Sequence, residues 1–343
     1  MRPGRGLALG LSAVLLAGCS SSADGPDELT TPSPTSAAAT DADGASVAPT
    51  SDPVVVDPVE PDLDLAVSTP VEDSVYPAVG DPGVDALLYD LDLTWDPRRK
   101  RLTGESTVTF RATRTAPRFQ LDLGAPLEVG EVTLDGQAVR AAHRGKNLVV
   151  RAPVKADQRY ELSVGYAGTP RPAPAPTTRS DFSTTGFTVT DTGEVWTMQE
   201  PYGAYTWYPV NDQPSDKALY EITVHAPARW TGIANGHLTE LAAEDDGTTT
   251  TWQLTEPAAS YLVTLAIGDY AHRSDTTEGG LRVDHWTPRG MVTGLDGLQT
   301  AAASVDWIES KLGPYPFDSL GLVVTESQSA METQSMLTMG TNA

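Results

Sequence analysis

Glu200 and Glu332 are the residues of this chain best placed to do chemistry. Glu200 ends a strand-like stretch, Met198-Gln199-Glu200-Pro201, and the aromatic residues Tyr202, Tyr205, Trp207 and Tyr208 follow it. Glu332 lies beyond an apolar run, Leu320-Gly321-Leu322-Val323-Val324, in Ser329-Ala330-Met331-Glu332-Thr333-Gln334. A carboxylate at a strand end can hold a cation by charge-assisted hydrogen bonds or exchange a proton with a substrate. It can equally be a solvated or hydrogen-bonded side chain, and the aromatic run can be core packing under a loop. The five histidines, His143, His225, His237, His272 and His285, include no pair three to five residues apart. The two-histidine helix face of an H-E-x-x-H zinc site is therefore absent. His225 and His285 sit in strand patterns and read as packed or edge residues. There is no G-x-S-x-G, P-loop or G-x-G-x-x-G. On residue types and spacing alone, no complete catalytic constellation exists.

The single cysteine, Cys19, excludes a disulfide framework, a cysteine-rich zinc site and an iron–sulfur cluster. It has a different setting. Arg2 and Arg5 precede an apolar stretch, Leu7–Leu16, too short for a stable membrane span, and Leu16-Ala17-Gly18-Cys19 follows. This arrangement resembles the lipobox of bacterial lipoproteins, in which the thiol is lipidated and the cysteine becomes the first residue. Residues 1–19 are accordingly expected to be a lipoprotein signal peptide. The remainder is expected outside the cytoplasm, held to the bacterial cell membrane by its lipid.

The elements that must position the two glutamates begin after a tether. Residues 20–83 hold thirteen acidic residues, ten prolines, one aromatic (Tyr76) and no Lys or Arg. That composition predicts a disordered, self-repelling segment. The whole chain of 343 residues has 23 Lys+Arg against 46 Asp+Glu, a formal net charge of −23. Removing −13 for the tether and +2 for the signal leaves −12 on residues 84–343. A body this acidic excludes nucleic acid as partner and suits a cationic group on a substrate.

From Val84 onward, short alternating runs predict strands: Leu87–Leu93, Thr107–Phe110, Phe119–Leu123, Val129–Leu134 before an Asp135-Gly136 hairpin turn, Asn147–Arg151, Tyr160–Tyr166, Gly186–Thr190, Glu194–Gln199, Leu219–His225, Thr250–Leu254, Tyr261–Ile267 and Leu281–Trp286. Residues 168–185 read as a long loop. Leu298, Ala301, Ala302, Val305, Ile308 and Leu312 recur at helical spacing before Gly313-Pro314, and Leu320–Val324 reads as a buried strand. The expected fold is mainly β: an all-β sandwich or saddle-like curved-sheet domain over residues 84–274, then the start of an α/β domain over 275–343.

The segment Glu200-Pro-Tyr-Gly-Ala-Tyr-Thr-Trp-Tyr-Pro-Val-Asn-Asp-Gln-Pro-Ser-Asp-Lys-Ala218 resembles the aminopeptidase N family of zinc metallopeptidases, the gluzincin aminopeptidases. Their pattern there is T-Q-x-E followed by A-R-R-W-F-P-C-x-D-E-P-x-x-K-A. Glu200, Trp207, Pro209, Asp212, Pro214, Lys217 and Ala218 match without a gap. Ser329-Ala330-Met331-Glu332-Thr333 resembles the family's G-A-M-E-N exopeptidase motif. Ala266-Ile267-Gly268-Asp269-Tyr270, Gly313-Pro-Tyr-Pro-Phe317, Tyr89–Leu93 and Leu102-Thr103-Gly104 stand at similar places in the same order. The departures are Met198 for Gln, Tyr205-Thr206 for two arginines, Gln213 for Glu, Ser329 for Gly and Thr333 for Asn.

The resemblance implies an aminopeptidase that removes N-terminal residues from peptides, with Glu200 and Glu332 holding the substrate's free amine. It implies that the backbone of Ser329, Ala330 and Met331 pairs with the substrate as an added strand. It implies zinc as the cofactor of the complete enzyme, bound by an H-E-x-x-H and a later Glu downstream of the exopeptidase motif. The sequence stops at Ala343, so residues 275–343 are expected to be an incomplete thermolysin-like catalytic domain. No catalytic residue and no metal ligand is expected in the chain, no zinc bound to it, and no activity from it alone. The expected partners are peptides with a free N-terminus and, through the lipid, the membrane. The alternative is a non-catalytic surface lipoprotein that binds peptides or a protein partner.

Overall fold

The computed structural model describes residues 51–291 and 295–341. Its base is an eight-stranded sheet whose order is His237–Ala243, Gly247–Ala259, Lys217–Pro227, Val84–Asp96, Arg101–Ala112, Arg159–Gly168, Leu127–Leu134 and Gln137–Ala138. The Val84–Asp96 strand shows why the sequence folds this way. Side chains alternate across a pleat, so Tyr89, Leu91, Leu93 and Trp95 are buried while Asp90, Asp92 and Thr94 face outward. This central strand pairs antiparallel with Arg101–Ala112 and parallel with Lys217–Pro227. The expected Asp135-Gly136 turn is present, with positive φ at both residues (49° and 72°), as a two-residue hairpin turn of the primed type requires.

A five-stranded sheet, Thr231–Ala234, Leu265–Gly268, Val195–Met198, Thr184–Val189 and Ala173–Pro174, and a three-stranded one, Phe119–Asp122, Asn147–Arg151 and Arg140–Arg144, share the core of the large sheet. Tyr89, Tyr208 and Tyr220 lie together in that core, with Tyr89 and Tyr220 stacked at 5.1 Å. The expected strand over Tyr261–Ile267 is shorter. Residues Ser260–Leu262 form a single 3-10 turn and the strand is Leu265–Gly268.

A four-stranded sheet, Tyr270–Thr276, Arg282–Pro288, Leu320–Thr325 and Met336–Gly340, completes the described chain. Its first pair is antiparallel and the next two are parallel, with the helix Ala301–Leu312 between the parallel strands Arg282–Pro288 and Leu320–Thr325. This is the mixed α/β pattern expected after residue 275. The change of architecture comes slightly earlier, because the first strand begins at Tyr270. Trp286, Val323 and Met336 join the core of the large sheet, so apolar packing is continuous across the change. The helix keeps its expected stop at Gly313, whose N–H reaches Glu309 O at 3.0 Å with φ +96°. Its apolar face differs from expectation. Ala302 is buried, whereas Ile308 (47% exposed) and Leu312 (84%) lie outward beside Trp307 (65%).

Cys19 and the signal peptide lie outside the described residues, as does the first part of the expected tether. Residues 51–83 depart from the disordered segment the composition predicted. They run against the sheets with their polar backbone matched by the body. Gln253 bonds both the N–H and the C=O of Val59 (2.9 and 2.7 Å), and Val56 N reaches Leu238 O at 3.0 Å. Asp85 accepts from Ser68 N and Oγ, while Arg111 bridges Asp85 (2.8 Å) and Ser68 O (2.8 Å). Ala66 is buried against Leu87 and Leu219. Averaging composition over the whole acidic window hid these few anchoring residues. What orders the segment is the partners waiting on the body, not its own apolar content.

Candidate functional site

Glu200 is exposed at the end of the Val195–Met198 strand, and the residues around it are fixed. Its neighbour Gln199 is fully buried. The Gln199 amide donates to Ser260 O and Val263 O, both at 2.8 Å, and its carbonyl accepts from Trp207 Nε1 at 3.0 Å. The turn that follows wraps around Asp212, which accepts from Gly203 N (2.9 Å), Tyr205 N (3.2 Å) and Ser260 Oγ (2.7 Å). Burial pushes the Asp212 carboxyl up to about 6. Gly203, at φ +151°, has Thr185 Oγ1 2.4 Å from where a Cβ would stand, so a side chain there would displace the turn. Asn211 donates to Val84 O and Asp216 and accepts from Asp81 N, which ties the end of the motif to the central strand.

Glu332 is exposed on the second motif. Met331 pairs with Thr338 in both directions (2.8 and 3.0 Å), so the motif lies antiparallel beside the edge strand Met336–Gly340. Gln334 N reaches Leu262 O at 3.0 Å, Asn235 Nδ2 donates to Gln334 O at 2.6 Å, and Gly236 N donates to Ser335 Oγ at 2.9 Å. Thr264 Oγ1 and Thr338 Oγ1 are 2.8 Å apart.

Residues 260–264 are thus a shared bracket. Gln199, beside Glu200, grips Ser260 and Val263. Gln334 and Thr338, around Glu332, grip Leu262 and Thr264. A third tie is direct, from Ser327 Oγ to Met198 Sδ at 3.3 Å. A guanidinium from the loop over residues 168–185 reaches the second motif. Arg179 forks Asp181 (3.2 and 2.5 Å) and donates to Ser329 Oγ at 2.9 Å. Its pKa is raised first by Asp181 and then by the charges of Glu200 and Glu332, while Arg179 holds Asp181 down at about 2.

Of the three residues expected to pair with substrate backbone, two have their N–H groups engaged. Met331 uses its N–H and C=O on Thr338, and Ser329 N donates to Ser327 Oγ at 3.1 Å. Ala330 is exposed, and its N–H has no partner among the described residues. Ala330 N–H is thus the one backbone donor of the three without a partner among the described residues. Of the departures from the family pattern, Met198, Thr206 and Thr333 find local partners, whereas the buried Gln213 Nε2 has none among the described residues. Met198 meets Ser327, Thr206 clips Phe187 N and Gly203 O, and the Thr333 hydroxyl bonds Met336 O. Spacing singled out neither Gln199, Asn235 and Gln334, which hold the bracket, nor Arg179. The unusual burial of an Asn or Gln has no sequence period, so no pattern could have marked them.

The described residues do not fit a zinc site. Among the described residues no three His, Cys, Asp or Glu come together around one point. Four histidines have other partners: His272 bonds Asp284 (2.7 Å), His237 Asp318 (2.9 Å), His225 Thr249 (3.0 Å) and His143 Leu123 O (2.9 Å). His285 is buried in its strand, and burial lowers its pKa.

Residues 86–262 match the Peptidase M1 N-terminal domain. Among curated proteins, the chain is similar to a probable aminopeptidase 1 of Sulfurisphaera tokodaii, 26% identical over 57% of this chain and 24% of that protein. It is also similar to Aminopeptidase M1-B of Oryza sativa, 24% identical over 74% of this chain and 30% of that protein. The chain thus spans less than a third of either relative. Among solved structures, an M1 zinc metallopeptidase from Deinococcus radiodurans superposes with a TM-score of 0.70 at 26% identity, over 79% of this chain and 63% of that one. A mutant of that protein bound to the substrate Tyr-Ser-Ala superposes with a TM-score of 0.69 at 27% identity, over 78% and 63%. The matched span takes in the large sheet's central strands, the Glu200 turn and the start of the shared bracket, and on this footing the chain belongs to the M1 peptidase family through its N-terminal domain.

Proposed function

We propose that the chain forms the amine-recognition end of an aminopeptidase that acts on peptides with a free N-terminus. One observation carries this reading: Glu200 and Glu332 are both exposed on motifs that a single bracket, residues 260–264, holds together. A peptide's α-amino group, with a pKa of about 7.7–8.0, is mostly cationic at neutral pH. Two carboxylates can hold it by charge-assisted hydrogen bonds, and Ala330 N–H is free to meet the first backbone group. The solved relative bound to Tyr-Ser-Ala supports a peptide as the ligand class. Among the described residues no three metal-ligating side chains come together, and the reading assigns these residues recognition of the amine. Stoichiometric zinc together with turnover of an aminoacyl-anilide by the 343 residues alone would contradict a role confined to recognition.

The test is an amide chemical-shift titration with Tyr-Ser-Ala. Removing one charge-assisted hydrogen bond costs about 1.5–3 kcal/mol, so Glu200→Gln and Glu332→Gln should each weaken binding about tenfold to a hundredfold. Unchanged affinity in both variants would remove the amine site from the reading. The lipobox extends the proposal: Cys19 anchors this recognition end outside the bacterial cell membrane. Incorporation of a labelled fatty acid that persists in Cys19→Ala would contradict it.

A further inference from the structure

The loop over residues 168–185, which the sequence left as an irregular connection, reaches the exopeptidase motif through one side chain. Arg179 bonds Asp181 through Nε and Nη2 and uses Nη2 again on Ser329 Oγ. Ser329 stands where the family pattern has Gly, which has no hydroxyl. This contact therefore depends on a departure from that pattern. Ser329 is buried and its N–H is held by Ser327, so its hydroxyl has a fixed direction. Ala330, Met331 and Glu332 follow it immediately, and Met331 is pinned on the far side by Thr338. The segment that carries Glu332 is thus held from both ends, by the edge strand on one side and by Arg179 on the other.

We propose that Arg179 is a positioning residue of the amine site, which through Ser329 fixes the backbone that presents Ala330 and Glu332 to the substrate's N-terminus. The inference rests on the amine-binding reading given above and adds to it the element that sets the motif's position. A guanidinium suits this role because its planar fork serves two partners at once, which a lysine ammonium at one point cannot reproduce. The charge count sharpens the consequence. Arg179 carries one positive charge and is paired with Asp181, while Glu200 and Glu332 add two further carboxylates, so the site keeps an excess of negative charge and still attracts an ammonium. Neutralising Arg179 makes the site more negative. Electrostatics alone would then tighten binding of a cationic N-terminus. Loss of positioning would weaken it. The two roles predict opposite signs.

The experiment titrates Tyr-Ser-Ala and its N-acetyl form into the wild-type chain, Arg179→Gln, Arg179→Lys and Ser329→Gly, following the amides of residues 329–332. The expected result is about tenfold weaker binding of the free peptide to Arg179→Gln. Arg179→Lys should fail to restore it, and Ser329→Gly should weaken binding in the same direction. The double variant should be no weaker than the weaker single one, because both act through one contact. Amide shifts at Ala330 and Glu332 should move in Arg179→Gln even without peptide, at an unchanged melting temperature, since the side chain is 57% exposed. Equal or tighter binding by Arg179→Gln, with the wild type still preferring the free amine, would overturn the positioning role and leave the amine site standing. A wild-type chain with no preference for the free amine would overturn both.

Discussion

Asp212 is a fully buried carboxylate with three donors and no cationic partner, and it holds the turn that follows Glu200. Its carboxyl sits at about 6, above the ordinary value of 3.8, because burial outweighs the three hydrogen bonds. The folded chain thus binds this proton more tightly than the unfolded one. The stabilising contribution is complete below the unfolded value and is lost as pH rises through about 6. Through this group the fold therefore loses about 3 kcal/mol of stability between low pH and pH 7. Asp212→Asn keeps the shape and can satisfy the same donors by accepting from Gly203 and Tyr205 and donating to Ser260. Its stability advantage over the wild type should grow between pH 4 and pH 7 in urea denaturation, and parallel curves for the two proteins would contradict the assignment. At this scale, the sequence exposed Glu200, Glu332 and Asp212, because motif spacing marks them. It did not expose Gln199, Asn235 or Arg179. Their roles come from contacts across 61, 99 and 150 positions, which no local pattern encodes.

At the scale of elements, strands were the most legible feature. Asn147–Arg151 has the predicted bounds, and Val84–Asp96 shows the predicted alternation, because a half-buried pleat writes its period of two into the sequence. The helix Ala301–Leu312 was legible as a helix but not as a face. Ile308 and Leu312 continue the apolar spacing on a side that the described chain leaves open. The segment over residues 51–83 was the largest departure, and Asp85 accounts for much of it. Asp85 is completely buried, and Arg111, 21% exposed, donates to it at 2.8 Å. Asp85→Ala would leave that guanidinium without its buried partner and Ser68 without its acceptor. A loss of about 2–3 kcal/mol is expected, together with new protease cleavage between residues 60 and 75. An unaltered digestion pattern would show that other contacts hold the segment.

Across the whole molecule, charge is distributed as the composition suggested, and its placement is now explicit. On the outward face of the large sheet, Asp90 lies beside Glu221, and Asp92 lies beside Glu105 on the neighbouring strand. Partial burial, followed by the charges of Glu221, Asp92, Glu105 and Glu161, pushes Asp90 up to about 6. Like charges on facing positions oppose the sheet. The protonated form of Asp90 is favoured in the fold, so its stabilising effect is lost as pH rises through about 6. The melting temperature should therefore be higher near pH 5.5 than near pH 8. Added salt should raise it more at pH 8, where the carboxylate rows are fully ionised. A melting temperature that rises steadily to pH 8 at low salt would contradict this placement of charge. The same acidity suits the amine-binding proposal, in which the ligand is a cation.

The central claim is that two distant motifs converge to read a free N-terminal amine. The most direct test compares the affinities of Tyr-Ser-Ala and N-acetyl-Tyr-Ser-Ala for the same chain by amide chemical shifts. Acetylation removes the positive charge and leaves the rest of the peptide intact. The expected result is at least about tenfold weaker binding of the acetylated peptide, with the largest shifts for the free form near Glu200 and over residues 330–332. Equal affinity for the two peptides, or shifts confined to other surfaces, would contradict the claim.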